Sequence, residues 1–335
     1  MMDYTNQHQR TLMRLLTRHT TLYTEMVVCN TLLHRQDPQR SLPSLTHSLT
    51  HSSPQHPIVA QLGGADPSAM HAATRLAKSL GYSEVNINVG CPSERVAGAG
   101  CFGAVLMRTP QLVGDLALAA SLALGVAPTI KCRIGVDDLE SYSHLYEFID
   151  HVSTSGGVTH FIIHARKAIL GANFSPKQNR TVPPLQYSYV YDLVRDFPHL
   201  RFTLNGGVSS MEEVQHHLSE CGGLAGVMVG RAAVSDPFEW RHADTLLFGA
   251  ARDPGFTRYD ILCKYAEYAR EVEESEGPRC RHTLVKPLHG LFNRVRNGKK
   301  FRYSLGENVK DRSMGMFDVI MKATESVGHA ELLHT

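Results

Sequence analysis

The sequence lacks closely spaced cysteine pairs, and this absence excludes several classes of small domain. Its seven cysteines are an odd number among 335 residues, and the two closest, Cys91 and Cys101, lie ten positions apart. A C-x-x-C zinc or redox site and a short disulfide-stapled scaffold are therefore excluded. Free cysteines are typical of a reducing compartment, so we expect a cytoplasmic protein, or an organellar one if the native N terminus is longer.

Long hydrophobic runs are also missing. The longest, Leu116–Ala127, has 12 residues, whereas a membrane-spanning helix needs about 20. Met1–Arg10 lacks the apolar core of a secretory signal, and we expect no membrane partner. With 42% hydrophobic and 20% charged residues, the chain has the composition of a folded globular protein.

The chain as a whole has no large excess of either charge, but one segment is strongly basic. Lys and Arg number 34 against 32 Asp and Glu, which gives a net charge of +2. Residues 279–302 contain no acidic residue and eight basic ones, Arg279, Arg281, Lys286, Arg294, Arg296, Lys299, Lys300 and Arg302. Such a patch is typical of polyanion binding, although a solvated cationic face has the same pattern. The interleaved Phe292, Phe301 and Tyr303 either stack on bases or belong to a core.

Short β-branched runs alternate with helical patterns along most of the chain. Amphipathic helices are predicted between them, for example over Ser68–Leu80 and Ser209–Ser219, so the pattern indicates βαβ units with a parallel sheet. The predicted strands are Leu22–Val28, Ile58–Leu62, Glu84–Val89, Thr129–Ile134, His160–His164, Arg201–Leu204 and Gly226–Val229. Seven strands are one fewer than a (β/α)8 TIM barrel needs. Met1–Arg18 has the pattern of the loop and helix that follow a first strand, and we expect that strand upstream of Met1.

A TIM barrel is favoured over an open doubly wound sheet, because no G-x-G-x-x-G fingerprint follows the first predicted strand, Leu22–Val28. The second architecture stays open at this point. After about Ala250 the alternation stops, and helices are predicted over Arg258–Glu273 and Thr283–Val295. We therefore expect a barrel domain over residues 1–248 and a small all-helical domain over 249–335.

A long polar segment, His34–Pro57, is rich in Ser, Pro, His and Gln and has the pattern of a surface loop. Within it His47 and His51 have the i, i+4 spacing of a helical metal pair. In this setting we interpret them as loop histidines, and we expect no metal site.

Polar residues stand at or just past the carboxyl ends of six predicted strands. In a barrel these ends meet at one mouth, where active sites form, so we expect a shared site. The residues are Gln61, Asn88 with Cys91, Lys131, His164, Asn205 and Gly230 with Arg231.

Cys91 is the candidate catalytic residue. It follows a strand within Asn88–Ser93, where Gly90 and Pro92 predict a turn that presents the thiol. A thiol at such a position is a nucleophile when ionised and a general acid when it stays protonated. No histidine stands close to it in sequence, so acid chemistry suits it at least as well as nucleophilic attack.

Glycine turns follow the last two predicted strands, in Asn205–Gly207 and in Gly226–Arg231. Exposed backbone N–H groups beside an arginine form a phosphate seat, and barrels often bind phosphate after strands seven and eight. Together with the polar ends of the earlier strands, these turns predict a phosphate-bearing cofactor that faces the thiol of Cys91.

These segments together resemble the tRNA-dihydrouridine synthase family, and within it the A-type branch. The similarity covers nearly the whole chain, and the ordered set is more specific than any single piece. The matching segments are Met1–Thr5, Leu22–Met26, Gln61–Gly64, Asn88–Ser93, Lys131–Gly135, His164–Ala168, Ser175–Arg180, Asn205–Gly207 and Gly230–Arg231.

The resemblance implies an FMN-containing barrel that reduces the C5–C6 double bond of a uridine in the tRNA D-loop, with positions 20 and 20a suggested by the branch. In such enzymes NADPH reduces FMN, the flavin N5 passes hydride to C6, and the loop cysteine, here Cys91, protonates C5. Gln61, Lys131 and His164 are implied to hold the flavin ring, with Met2 beside it. The residues implied to hold the ribityl phosphate are Asn205, Gly206, Gly207, Gly230 and Arg231.

The same resemblance implies a tRNA-binding surface. Asn88, Arg166 and Lys167 would face the target uridine and its phosphates. The other implied tRNA contacts, in the barrel and in the helical tail, are Lys177, Arg180, Arg294, Arg296, Lys299 and Lys300. We expect the protein to act as a monomer.

The sequence departs from the family pattern in two places. The family's first strand, which ends in Ala-Pro, precedes a Met-Met pair, whereas here Met1 and Met2 open the chain. The loop Ala97–Cys101 is one residue longer than the bacterial form and adds a second thiol. Two other functions stay open: a non-catalytic tRNA-binding protein, and an FMN barrel oxidoreductase that acts on a small molecule.

Overall fold

The computed structural model describes residues 1–34, 55–97, 101–171 and 174–333. The predicted loop histidines His47 and His51 lie outside these ranges, as do residues 98–100 of the loop before Cys101. No helix within the described ranges is both long enough and apolar enough to span a bilayer.

In the described part of the chain, seven strands form one sheet, and each lies where a β-branched run predicted it. They are β1 (Leu22–Val28), β2 (Ile58–Gly63), β3 (Val85–Val89), β4 (Thr129–Arg133), β5 (His160–His164), β6 (Arg201–Asn205) and β7 (Gly226–Met228). Their order across the sheet is their order along the chain, and β2 to β7 pair in parallel. A doubly wound sheet reverses its strand order at a switch point, and this sheet does not. The fold is therefore TIM-barrel-like, and the doubly wound alternative is wrong.

Helices connect the strands, as the alternating pattern predicts. Before residue 231 they are α1 (Gln7–Leu16), α2 (Cys29–His34), α3 (Pro67–Ser79), α4 (Glu94–Ala97), α5 (Pro110–Leu124), α6 (Tyr142–Gly156), α7 (Tyr187–Asp196) and α8 (Met211–Glu220). Helix α3 shows why such a segment begins where it does. Asp66 Oδ1 accepts the backbone N–H of Ser68, and Pro67 occupies the first helical position, where no N–H is needed.

Strand β3 shows how the sheet separates an apolar face from a polar one. Val85, Ile87 and Val89 are fully buried and alternate with Asn86 and Asn88. Because successive side chains of a strand point to opposite faces, the two asparagines share one face of the sheet. That face continues past the end of the strand into the candidate site.

Contacts divide the chain into two compact units. The first contains residues 1–2, 23–208 and 212–230 and includes the sheet, and the second contains residues 3–22, 209–211 and the chain from Arg231 onward. Residues 231–248, which the sequence assigns to the barrel domain, group by contacts with the helical unit. The domain boundary after residue 248 stays a prediction.

The second unit is helical. Besides α1 it contains α9 (Arg231–Ser235), α10 (Ala243–Phe248), α11 (Arg258–Glu276), α12 (Arg281–Val285), α13 (Gly298–Asn308), α14 (Met316–Thr324) and α15 (His329–Leu333). Helix α11 begins at a capping box. Thr257 Oγ1 accepts the backbone N–H of Asp260, and Asp260 Oδ2 accepts the backbone N–H of Thr257. This box fixes the start that the sequence pattern predicts.

The prediction of a continuous helix over Thr283–Val295 is wrong. Helix α12 ends at Val285, a 3-10 segment covers Lys286–Gly290, and turns follow it. Pro287 has no N–H to donate to the preceding turn and its ring crowds the helix, which disfavours a continuous α-helix through this position. Gly290 packs so closely that an added Cβ would lie 2.5 Å from Val234 O.

Candidate active site

The strand register places the predicted polar residues on one face of the sheet, at the carboxyl ends of the strands. Side chains in register on neighbouring parallel strands point to the same face, as do residues two apart on one strand. The register pairs are Gln61 with Asn86, Asn88 with Lys131, Arg133 with His164, His164 with Asn205 and Asn205 with Met228. Five of the six strand ends singled out by sequence therefore share a surface.

Lys131 places a half-buried positive charge on this surface. Its Nζ donates to Asn205 Oδ1 at 2.9 Å, and Asn205 is itself held because its Nδ2 donates to Met228 O at 2.7 Å. Burial, and to a smaller degree the nearby Arg133 guanidinium, lower the pKa of Lys131 from 10.5 to about 8. Within the described residues no carboxylate forms an ion pair with this ammonium. The group is therefore suited to hold an anionic or electron-rich ligand.

The loop that carries Cys91 is held from both sides. Asn88 Oδ1 accepts the backbone N–H groups of Gly90 at 3.1 Å and of Cys91 at 3.0 Å, and Arg133 Nε donates to Gly90 O at 3.0 Å. Both Lys131 and Arg133 interact electrostatically with the half-buried Cys91 thiol. Asn88 pairs in register with Lys131, so the loop of Cys91 and the strand of Lys131 meet at the same end of the sheet.

Arg133 is a residue of this face that the sequence reasoning did not single out. It is buried, and besides Gly90 O its guanidinium reaches two other loops, because Nη1 donates to Lys167 O at 3.0 Å and to Asn179 O at 2.9 Å. Burial lowers its pKa to about 10. Its position two residues after Lys131, on the same face of β4, is the sequence signal that points to it.

Two glycines after β6 form a close-fitting backbone turn. Gly206 and Gly207 have φ values of 117° and 80°, which side-chain-bearing residues rarely adopt. An added Cβ would lie 2.6 Å from His164 Cδ2 at Gly206 and 2.6 Å from Leu185 Cδ1 at Gly207. Tyr187 holds the turn, since its hydroxyl donates to Gly206 O at 2.7 Å.

This set of residues fits a flavin mononucleotide. The ring of a flavin presents carbonyl oxygens and ring nitrogens, which match the donors of Gln61, Lys131 and His164. A phosphate needs close approach to backbone N–H groups, and Gly206 and Gly207 have no side chains of their own to cover the N–H groups of this turn. In the described ranges no group of three or more His, Cys, Asp or Glu residues is arranged to hold a metal ion.

Three other residues predicted to bind the cofactor, Met2, Gly230 and Arg231, lie outside the sheet. Met1 Sδ lies 3.5 Å from the Cβ position of Gly230, so the first methionine is the one beside that strand end. Met2 has 54% of its surface exposed. Arg231 begins α9 in the helical unit, and its role stays a prediction.

The residues of the barrel unit that are predicted to contact tRNA differ in the hydrogen bonds and ion pairs that they form within the protein. Lys167 forms an ion pair with Glu140 and also donates to Asp137 O at 3.2 Å. Arg166 Nη1 donates to Pro183 O. Lys177 is exposed, whereas Arg180 is half-buried and its Nε has no hydrogen-bond partner. Asn88 already uses its side-chain oxygen on the Cys91 loop.

The basic segment of the helical unit splits into a surface and a core. Arg294, Arg296, Lys299 and Lys300 are exposed. The aromatic residues divide in the same way, since Phe292 and Phe301 are buried with ring centroids 4.6 Å apart while Tyr303 is 73% exposed. Of the basic residues, Arg281 is buried and paired with Glu273. Fewer than eight of these charges thus remain for a polyanion.

The fold and the site together define a class: a barrel-type oxidoreductase whose strand ends offer donors for a flavin, a phosphate cradle and a thiol. The model of the dihydrouridine synthase (Dus) family matches residues 1–322 of the chain. The chain therefore belongs to the dihydrouridine synthase family.

Curated relatives support this assignment. A tRNA-dihydrouridine(20/20a) synthase of Salmonella typhimurium is 42% identical over 92% of this chain and 88% of the relative. The Escherichia coli K12 protein of that name is 41% identical over 92% and 84%, and the Vibrio cholerae protein is 38% identical over 99% and 96%. An old yellow enzyme homologue from Zymomonas mobilis aligns with 11% identity and a TM-score of 0.49 over 74% of this chain and 84% of that one. The family assignment does not depend on this last, weak likeness.

Proposed function

We propose that the protein reduces the C5–C6 double bond of uridine to dihydrouridine in the D-loop of tRNA, at positions 20 and 20a, with FMN as cofactor and NADPH as reductant. The names of the curated relatives support the substrate and the positions. The observation that carries the proposal is the placement of Cys91, whose loop is held by Asn88 and Arg133 beside the ammonium of Lys131.

In this proposal the face of the sheet holds the cofactor. Gln61, Lys131 and His164 hold the flavin ring and Met2 lies beside it. When bound, FMN would supply the hydride that goes to C6 of the uridine, with NADPH as the reductant. The ribityl phosphate is held by Asn205, Gly206, Gly207, Gly230 and Arg231.

The chain's own residues complete the reaction. Cys91 acts as the general acid and gives a proton to C5, and Asn88 keeps the backbone of that loop in place. Arg166 and Lys167 contact the phosphates around the target uridine. The wider tRNA surface comprises Lys177, Arg180, Arg294, Arg296, Lys299 and Lys300. A monomeric state and a cytoplasmic location stay predictions.

The test uses purified protein, NADPH and tRNA isolated from cells without dihydrouridine. We expect a yellow protein whose flavin absorbance bleaches with NADPH, and dihydrouridine at positions 20 and 20a by mass spectrometry of tRNA fragments. A flavin-free protein that binds tRNA with salt-dependent affinity would instead identify the non-catalytic tRNA-binding alternative. A flavoprotein that reduces free pyrimidines but not tRNA would identify the small-molecule reductase.

A further inference from the structure

A directed chain of side-chain amides runs across three strands to the loop of Cys91. Asn86 Nδ2 donates to Thr129 O at 3.2 Å, Gln61 Nε2 donates to Asn86 Oδ1 at 2.9 Å, and Asn88 Nδ2 donates to Gln61 Oε1 at 3.0 Å. The chain ends where Asn88 Oδ1 accepts the N–H of Cys91. Each amide thus donates to one neighbour and accepts from the next.

Backbone groups at both ends fix the direction of this chain. The N–H of Cys91 can only donate, so the Asn88 atom that faces it is an oxygen. The carbonyl of Thr129 can only accept, so the Asn86 atom that faces it is a nitrogen. Between these ends Gln61 has one self-consistent orientation, and turning any amide over would set two donors or two acceptors against each other.

Asn86 is the buried anchor of the chain. Its side chain is 0% exposed, lies in the register between Gln61 and Thr129, and uses both of its polar atoms on neighbouring strands. Because Asn86 Oδ1 engages one hydrogen of Gln61 Nε2, the second hydrogen of that amide is the one left for a ligand. Asn86 therefore decides which atom of Gln61 faces the cofactor site, and it supports Asn88 through the same amide.

We propose that Asn86 is a positioning residue of the active site: it fixes the amide orientation of Gln61 and, through Asn88, the backbone that presents Cys91. The kinetic consequence rests on the proposed function. A purely structural role, in which Asn86 only satisfies hydrogen bonds inside the sheet, would lower stability without changing the thiol. The two roles therefore differ in measurable ways.

The experiment compares two substitutions of Asn86 with a matched control. Asn86→Leu keeps the volume and removes both links, whereas Asn86→Asp keeps an oxygen opposite Gln61 Nε2 in either protonation state. Burial favours the protonated carboxyl, which also keeps a donor for Thr129 O. Thr203→Val is the control, because it removes a hydrogen bond of 2.8 Å to His160 between β5 and β6 of the same sheet, away from the chain.

Two readouts are measured on each purified, flavin-loaded variant. The first is the rate of Cys91 alkylation by iodoacetamide without tRNA, followed by mass spectrometry of tryptic peptides, which cleavage after Arg95 separates from Cys101. The second is kcat and KM for dihydrouridine formation. We expect Asn86→Leu to change the alkylation rate about fivefold, because the thiol is presented differently. Its kcat should fall roughly tenfold at unchanged KM for tRNA, as a misplaced catalytic group predicts.

The rescue and control variants decide the proposal. Asn86→Asp and Thr203→Val should stay within about twofold of wild type in both readouts. Wild-type values in Asn86→Leu, an equal loss in Thr203→Val, or damage in Asn86→Asp as large as in Asn86→Leu would each overturn it. If Asn86→Leu does not fold, the shorter Asn86→Ser takes its place. Since alkylation needs no tRNA, that arm tests Asn86 even if the wild-type protein makes no dihydrouridine.

Discussion

Lys131 Nζ and Asn205 Oδ1 lie 2.9 Å apart although their strands, β4 and β6, are separated by β5. The two side chains meet across the face of the intervening strand. Asn205 is fixed in turn by its bond to Met228 O on β7, so one amide links the ammonium of Lys131 to the last strand. This arrangement keeps a positive charge at the centre of the candidate flavin site with no carboxylate paired to it among the described residues.

FMN affinity should depend on the protonation of Lys131. Because its pKa is lowered from 10.5 to about 8, the side chain is charged at pH 7 and largely neutral at pH 9. We expect the dissociation constant of FMN, measured by fluorescence quenching, to rise several-fold between these pH values. In Lys131→Met the affinity should be weaker and nearly independent of pH over this range. The exposed Lys310→Met variant should behave as wild type.

The lowered pKa of Lys131 also determines how the stability of the apoprotein changes with pH. Between pH 8 and 10.5 the unfolded chain binds more protons at this position than the folded chain. The contribution of Lys131 to the free energy of unfolding therefore rises with pH over this window. Urea denaturation of the wild type relative to Lys131→Met should show this difference, and a difference of opposite slope would contradict the lowered pKa.

Cys91→Ala should keep the flavin and lose most of its turnover. A general acid contributes roughly 10²- to 10⁴-fold to a rate, so a loss within that range is expected in single-turnover assays with pre-reduced flavin and tRNA. Reduction of the flavin by NADPH should not change, because it does not use this thiol. Cys101→Ala is the matched control and should keep activity. Full turnover in Cys91→Ala would remove Cys91 from the acid role.

Strand positions could be predicted from the sequence because local composition determines them. The run His160–His164, for example, is the strand that the structure contains. Contacts between distant segments could not be predicted in this way. Arg133 and Gly90 are 43 positions apart, and so are Asn86 and Thr129, and only the register brings each pair together.

The basic segment shows a second limit of sequence reasoning. Both Arg281 and Lys299 count as positive charges of the basic segment in the sequence, yet Arg281 is buried and Lys299 is exposed. The failed helix over Thr283–Val295 has the same origin, since its apolar spacing reflects burial of turns around Pro287 rather than one helical face. Packing within the unit, which the local pattern does not contain, decides these features.

Gly207→Ala should destabilise the protein and weaken FMN binding. Its φ of 80° is unfavourable for alanine, and the new methyl group would meet Leu185 Cδ1 at 2.6 Å and the Tyr187 hydroxyl at 2.7 Å. We expect a loss of about 2 kcal/mol in the free energy of unfolding and a higher dissociation constant for FMN. Gly222→Ala is the control, because nothing lies within 4 Å of its Cβ position. Equal effects of the two substitutions would contradict the proposal that the turn at Gly206 and Gly207 binds the phosphate of FMN.

Arg281→Met should destabilise the helical unit without a direct effect on RNA contacts. Arg281 Nε lies 3.0 Å from Glu273 Oε1, with side chains 4% and 19% exposed, and Glu273 Oε2 also accepts the N–H of Met316. Removing one partner of a buried ion pair costs about 3 kcal/mol. The melting temperature should therefore fall. Stability equal to wild type would contradict a stabilising contribution from this ion pair.

Replacing Lys299 and Lys300 together by glutamine should weaken tRNA binding while leaving flavin reduction by NADPH unchanged. Both side chains are exposed on α13, and each phosphate contact contributes about 0.9 to the slope of log K against log salt. We expect that slope, measured by fluorescence anisotropy between 50 and 200 mM salt, to flatten by about 2 if both contact phosphates. Lys310→Gln is the matched control, because that lysine is exposed at the other end of the same region and is paired with Glu307. An unchanged slope in the double variant would mean that the exposed cations of α13 are a solvated face and that tRNA binds elsewhere.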